Sequence, residues 1–310
     1  MPNQGEAWPP AETALLKKMV QDGDDCAQIA AKFAELGLSR TYKAISRKVQ
    51  RERANGHGGW HAQVQASPWE RYNQPLTMTA ARSVHFADIH APFHDAGFMN
   101  RVIELATRWG CTQCGIMGDL IDMAAFCYYG QAAEITFKDE LRATRQILTA
   151  LKAAFPDGIY CGMGNHEARI ERAVDYRADL QTLSGLWVTD KVHLSAYHWY
   201  RLDSVGEVYQ FEHPVNTSVH ATLVPKKLAA KYGCHVVAGH GHGWGISRDD
   251  SGRYWAIDAG ICADPLRLAY AQVMHNTRPT MCQGAVVVRD GVPVLLSPNN
   301  ISLYEQMRWA

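Results

Sequence analysis

The sequence lacks the marks of several protein classes. Met1 to Ala11 is polar and proline-rich, without the apolar stretch of a secretory leader. No hydrophobic run approaches the ~20 residues that cross a bilayer, so no membrane partner is expected. Excess charge of either sign is also missing. Thirty-one basic residues balance thirty-one acidic ones, so a nucleic-acid or membrane partner would have to be read from a local patch. The cysteines, at 26, 111, 114, 127, 161, 234, 262 and 282, lack repeated pairs at zinc-site spacing. Cys111 and Cys114 form a single C-x-x-C, and Cys114 enters an apolar run. Ordinary buried thiols in a reducing cytoplasm are the expectation. What is present is unexceptional: 47% hydrophobic and 20% charged residues over 310 positions, enough for one large domain plus an appendage.

Three segments separate by composition. Residues 1–55 read as a small three-helix module. Leu15, Leu16, Met19 and Val20 recur at helical spacing in 12–21, and Ile29, Ala30 and Phe33 do so in 26–36, behind Asp24 and Asp25 as N-cap candidates. Gly37 ends the second helix, and Ser39 or Thr41 opens a third through Ala44, Ile45 and Val49. The 40–53 stretch is basic, with Arg40, Lys43, Arg47, Lys48, Arg51 and Arg53 against Glu52 alone. A trihelical unit with a basic last helix is the pattern of a helix-turn-helix reader, which makes nucleic acid a candidate partner. It equally suits a packing or homo-oligomerisation module with a solvated basic face. Residues 56–78, with Gly56, Gly58, Gly59 and two prolines, read as a linker without periodicity.

From residue 79 to 310 strand and helix patterns alternate, which predicts an α/β fold. Apolar strands are expected at 83–87, 114–117, 159–163, 208–212 and 235–238, helices at 99–109, 139–155 and 226–232, and a hairpin across 284–296. Each of the five strands ends in a metal-ligand residue type: Asp88 and His90, Asp119, Asn165, His213, then His240 and His242. Carboxylate, imidazole and amide oxygen suit borderline divalent ions. Glycines at 118, 164, 239 and 241 are expected to let the backbone turn tightly there. Two ions about 4 Å apart can clamp a phosphoryl group between attacking and leaving oxygens, and they acidify a bridging water enough to supply hydroxide near neutral pH.

Ala-Asp88-Ile-His90, Gly118-Asp119-Leu-Ile-Asp122, Gly164-Asn165-His166-Glu167, His213 and Gly239-His240-Gly-His242 together resemble the signature blocks of calcineurin-like metallophosphoesterases. The resemblance covers roughly residues 80 to 300. It implies a four-layer α/β/β/α sandwich with two divalent ions, manganese foremost, and iron, zinc, nickel or magnesium as alternatives. By that likeness Asp88, His90 and His242 hold one ion, Asn165, His213 and His240 the other, and Asp119 bridges. His166 would protonate the leaving oxygen or steady the phosphoryl group. Asp122 and Glu167 would orient ligands without holding an ion. Two departures stand out: Gly241 replaces the usual Thr or Ser, and Pro214 follows His213 where Gly is usual. His220 competes with His213, which is preferred because it ends an apolar run. Arg169 is a candidate for substrate phosphate or for a structural salt bridge, while His85 and His94 read as scaffold.

Residues 170–206, with Trp187, Tyr197, Trp199 and Tyr200 among Arg172, Arg177, Lys191 and Arg201, read as the substrate-specifying insert, its aromatics and cations suited to stacking bases and holding phosphates or, residue by residue, to the hydrophobic underside of a cap. The expected function is a dinuclear phosphodiesterase or nuclease acting on nucleic acid. A phosphomonoesterase for a nucleotide or phosphoprotein is the alternative within the class. A DNA-binding regulator with an inactive phosphoesterase domain is the alternative outside it.

Overall fold

The computed structural model describes residues 7–62, 75–127, 135–177, 185, 190–195, 197–268 and 281–307. Two compact units separate, Met1–Arg71 and Tyr72–Ala310. Among the described residues no helix is long and apolar enough to cross a membrane.

The first unit holds α1 (Pro10–Gln21), α2 (Cys26–Glu35) and α3 (Tyr42–Ala54). Asp25 starts α2 by accepting from the Ala27 and Gln28 amides, and the Gln28 side chain accepts from the Asp25 amide in return. Thr41 caps α3 through the Ala44 amide. Leu16, Met19, Val20, Ile29, Phe33, Ile45 and Val49 form the core, and Trp60 joins it at 3% exposure. The helical unit therefore takes in residues that the sequence pattern assigned to the linker.

The second unit contains β1 (Thr77–Thr79), β2 (Arg82–Phe86), α4 (Ala96–Arg108), β3 (Gln113–Ile116), α5 (Phe137–Ala154), β4 (Gly158–Cys161) and α6 (Ala168–Ala173). After them come β5 (Val192–Leu194), β6 (Trp199–Ser204), β7 (Glu207–Glu212), α7 (Leu223–Tyr232), β8 (His235–Ala238) and β9 (Trp244–Arg248). The unit ends in β10 (Trp255–Ala259), β11 (Ala285–Arg289), β12 (Val292–Leu296) and α8 (Ile301–Gln306). Two six-stranded sheets result, ordered β1-β6-β7-β8-β10-β9 and β12-β11-β2-β3-β4-β5.

Strand alternation produces the layers. In β2, Val84 and Phe86 face the helix-side core while Ser83 and His85 point the other way. In β11, Val287 lies with the helices and Val286 and Val288 between the sheets. Met78, Met117, Tyr200, Phe211, Val237 and Ile257 fill the space between the sheets. Val102, Leu105, Leu148, Leu151 and Ile301 cover the second sheet, and Ala229 of α7 packs on Val236 of the first. The architecture is a four-layer α/β/β/α sandwich.

The 170–206 segment is partly built into the two sheets. Its described part supplies β5 to one sheet and β6 to the other, and Tyr200 is fully buried between them. Trp187 lies outside the described residues. Tyr200 also belongs to a buried polar chain, in which His85 Nδ1 meets the Tyr200 hydroxyl at 2.9 Å and His85 Nε2 meets Ser83 Oγ at 2.8 Å. Phe211 stacks on His85 with ring centroids 3.7 Å apart. His85 is thus scaffold, and burial pushes its imidazole well below the usual range. Gly115 makes room for this chain, since a Cβ there would fall 2.0 Å from the Tyr200 hydroxyl and 2.4 Å from His85 Nδ1. Gly115→Ala should lower Tm by about 5–10 °C through overpacking, as read by calorimetry. An unchanged Tm would show that the chain repacks freely.

Candidate metal centre

Strand ends deliver the site. β2 leads to Asp88 and His90, β3 to Asp119, β4 to Asn165 and His166, β7 to His213, and β8 to His240 and His242. Three overlapping groups each bring their ligand atoms within 4.8 Å of one another: Asp88–His90–His242, His90–Asp119–His166 and Asp119–His213–His240. Asp119 and His90 each belong to two of them. Asn165 joins through a 2.9 Å contact between its Oδ1 and His213 Nε2. His220 lies apart from all three groups and is exposed.

The backbone is held in an unusual conformation to do this. Asp88, His90, Asp119, His240 and His242 all have φ between 48° and 64°, the left-handed region that disfavours residues with a Cβ. Five of the seven candidate ligands thus sit at strained positions. The glycines expected to supply the turns do so only at Gly118, whose φ is 86°. Gly164 and Gly239 serve a different need, close approach. A Cβ at 164 would lie 2.0 Å from Asp119 Oδ1, and one at 239 would lie 2.8 Å from Asp88 Oδ2. Gly241 has neither constraint, since a Cβ there meets only the Gly239 carbonyl at 3.9 Å.

Hydrogen bonds aim the imidazoles. His90 Nδ1 donates to Asp122 Oδ1 at 2.8 Å, which turns its Nε2 lone pair inward. That Nε2 is buried without a hydrogen-bond partner, 3.9 Å from both Asp88 Oδ1 and Asp119 Oδ2. His213 Nδ1 donates to the Met117 carbonyl at 2.9 Å, directing Nε2 to Asp119 Oδ2, 3.4 Å away. The Glu167 carboxylate accepts from the amides of Asp119, Leu120, Ile121 and Gly164 and so clamps two ligand turns together. The Asp88 carboxylate accepts from the His240 amide.

The electrostatics favour cations. Asp88 and Asp119 are at most 1% exposed, and among the described residues they form ion pairs with imidazoles and with no lysine or arginine. Burial would drive the His213 imidazole down, but the facing Asp119 carboxylate outweighs it and raises it to about 10. Burial and the neighbouring His213 lower His240 to about 4, which leaves it neutral. Buried carboxylates beside imidazole nitrogens, His90 Nε2 among them without a hydrogen-bond partner, at donor–donor distances of 3.3 to 3.9 Å, fit divalent ions at about 2.0–2.2 Å from each donor. An ion held at His213 would have to displace a proton from it.

Around this cluster, His166 Nδ1 donates to the Asp122 carbonyl at 2.7 Å, and Arg169 donates to His166 Nε2 and to the same carbonyl, each at 2.8 Å. Among the described residues Arg169 therefore makes no salt bridge, and it contacts His166. In this tautomer Nε2 is an acceptor, so a proton for a leaving oxygen would have to be loaded onto it first. Asn165, Arg169 and His240 are half-buried, which makes their side the solvent-facing one. His94 lies outside the three groups.

Asp258 and Glu140 are buried acids that escaped the sequence reading. Asp258, at the end of β10, accepts from the Thr222 amide at 2.5 Å and so anchors the loop that follows His213. Its strand-end position repeated the signal that marked the ligands. Glu140 on α5 gave no such signal, because an acid on a helix reads as solvated. It is fully buried, its Oε1 accepts from Ala124 at 2.7 Å, and its Oε2 has no partner. Burial raises it to about 7, the Ala124 amide opposing and the Asp122 charge reinforcing.

No protein-family model matches the chain, and no curated protein does. A crystal structure of a provisionally assigned diadenosine tetraphosphatase is similar at 17% identity and a TM-score of 0.38, covering 72% of this chain and 98% of that one. So loose a superposition bears on neither substrate nor residue roles. The class that fold and site define is a four-layer α/β sandwich carrying a buried His/Asp cluster able to hold metal ions.

Gly164→Ala should strip metal from the protein, whereas Gly241→Ala should keep its full content, both measured by plasma mass spectrometry. In the same measurement His213→Ala should lose metal and His220→Ala should retain it, and the reverse pair of results would reassign that ligand. Native Glu140 keeps its proton between pH 4.5 and about 7 while the unfolded chain loses it, so stability falls as pH rises through that window. Glu140→Gln still accepts from Ala124 but does not titrate. Its Tm advantage over the unaltered chain should grow between about pH 5 and about pH 8 in chelator. An advantage that stays constant would refute this.

Proposed function

We propose that the second unit is a metal-dependent phosphoester hydrolase whose substrate is a nucleic-acid phosphodiester. The observation that carries the reading is the set of strand-end ligands gathered into overlapping groups around Asp119 and His90. We assign Asp88, His90 and His242 to one divalent ion, Asn165, His213 and His240 to a second, and Asp119 to both. Two divalent ions so held supply Lewis-acid activation of a phosphoryl group and an acidified water.

The chain's own residues do the rest. Asp122 and the Met117 carbonyl fix the tautomers of His90 and His213, so that both present a lone pair. Glu167 keeps the Asp119 and Gly164 turns in register. On the solvent-facing side Arg169 offers a permanent guanidinium charge to phosphoryl oxygens, beside His166. His166 serves as proton donor once the substrate phosphate draws the guanidinium away from Nε2 and that nitrogen takes up a proton from water.

The basic third helix of the first unit supports the nucleic-acid substrate. The same Arg169 charge suits a terminal phosphate dianion, which keeps the phosphomonoesterase reading as the alternative. Manganese-dependent hydrolysis of end-labelled single- and double-stranded DNA and RNA, alongside bis(p-nitrophenyl) phosphate and p-nitrophenyl phosphate, separates them. Internal cleavage is expected. His166→Ala should lower kcat by about 100-fold or more, and Asp119→Asn should abolish activity. Release of terminal phosphate alone would overturn the diesterase reading in favour of the monoesterase, and no hydrolysis of any ester would overturn both.

A further inference from the structure

The six cations of 40–53 do not share one task. Arg40 donates to Glu12 at 2.7 Å and to the Ala7 carbonyl at 3.1 Å, with its guanidinium 4.6 Å from the Trp8 ring centroid. Lys48 pairs with Glu52 at 2.7 Å, and Arg53 donates to the Trp60 carbonyl at 2.6 Å. These three hold the helical unit together. Lys43, Arg47 and Arg51 are exposed, and no hydrogen bond or ion pair of their side chains occurs among the described residues. Their spacing of four places them in one stripe on α3, about 12 Å long at 1.5 Å per residue. Tyr42, 58% exposed, and exposed Gln50 flank the stripe, and Ser46 is half-buried beside it. No acid interrupts that face, because the only one on α3, Glu52, is 8% exposed and paired.

We infer that this face of α3 docks in the major groove of a DNA duplex, with Lys43, Arg47 and Arg51 on phosphates or guanine edges and Gln50 and Ser46 toward base edges. The groove is about 12 Å wide and admits one helix, and Arg and Gln make the bidentate base contacts it offers. Charge complementarity argues for a polyanion. The composition of the face argues for a duplex over a membrane surface, because the apolar side of α3, Ile45 and Val49, is already buried in the unit's core. Tyr42 is the one aromatic on the face, fewer than a base-stacking platform for single strands uses. The inference deepens the nucleic-acid reading above without depending on catalysis.

The test uses the full chain with Asp119→Asn in chelator, so that binding is scored without cleavage. Fluorescence anisotropy on a labelled mixed-sequence duplex should show binding. Lys43→Ala/Arg47→Ala/Arg51→Ala should weaken it by about 30-fold or more and reduce the log–log salt slope by about 2.7, or 0.9 per phosphate contact. A charge-matched variant elsewhere in the unit, Lys17→Ala/Lys18→Ala/Lys32→Ala, should change affinity less than about 3-fold. The inference is overturned if the α3 variant, with an unchanged Tm, binds as the parent does. It is overturned equally if both triples weaken binding alike, or if single-stranded RNA or anionic vesicles bind more tightly than the duplex. Hydrolysis by the unaltered chain is measured separately, so binding without cleavage defeats only the catalytic reading, and cleavage without binding to α3 defeats only this one.

Discussion

The second unit depends on the burial of carboxylates that, among the described residues, no lysine or arginine neutralises. Removing Asp88 and Asp119 from water is costly unless positive charge replaces the lost hydration. Imidazoles surround them, those of His90 and His213 aimed by their outer nitrogens, and His90 Nε2 faces both carboxylates without a hydrogen bond. The left-handed backbone at five of these positions adds strain to that cost. Neither expense is explained by packing. Both are explained by a site organised to hold cations.

Glu167 shows how the fold sustains this arrangement. Its carboxylate is buried and takes four amides from two turns, so the strained backbone is tied from behind. Asp119 is divided in function: Oδ1 accepts from the His166 amide at 2.8 Å, and Oδ2 is left to face His90, His166 and His213. One oxygen anchors the side chain and the other meets the site.

Much of this was legible in the residues, and the gaps have physical reasons. Strand ends followed by Asp, His or Asn marked the ligand positions because an apolar run stopping at a polar residue is a local pattern. β6 went unread as a strand although Trp199-Tyr-Arg-Leu-Asp-Ser alternates with period two, since its aromatics and cations also fit a binding surface. β1 and β5 have three residues each, too short for a periodic signal. The role of Gly241 was overread because glycine's freedom is visible in sequence while its need is not. Which cations of α3 are free depended on Glu12, Glu52 and the Trp60 carbonyl, contacts that composition cannot show.

The candidate ligands come from both sheets. Asp88, His90, Asp119 and Asn165 follow strands of one, while His213, His240 and His242 follow strands of the other. The interval between the two sheets is therefore also the interval across the centre. His85, Tyr200 and Phe211, stacked between the sheets, act as a spacer for it. Core packing here works as a gauge block, and a change of a methyl group among these rings would be felt as a change in which ions fit at the rim.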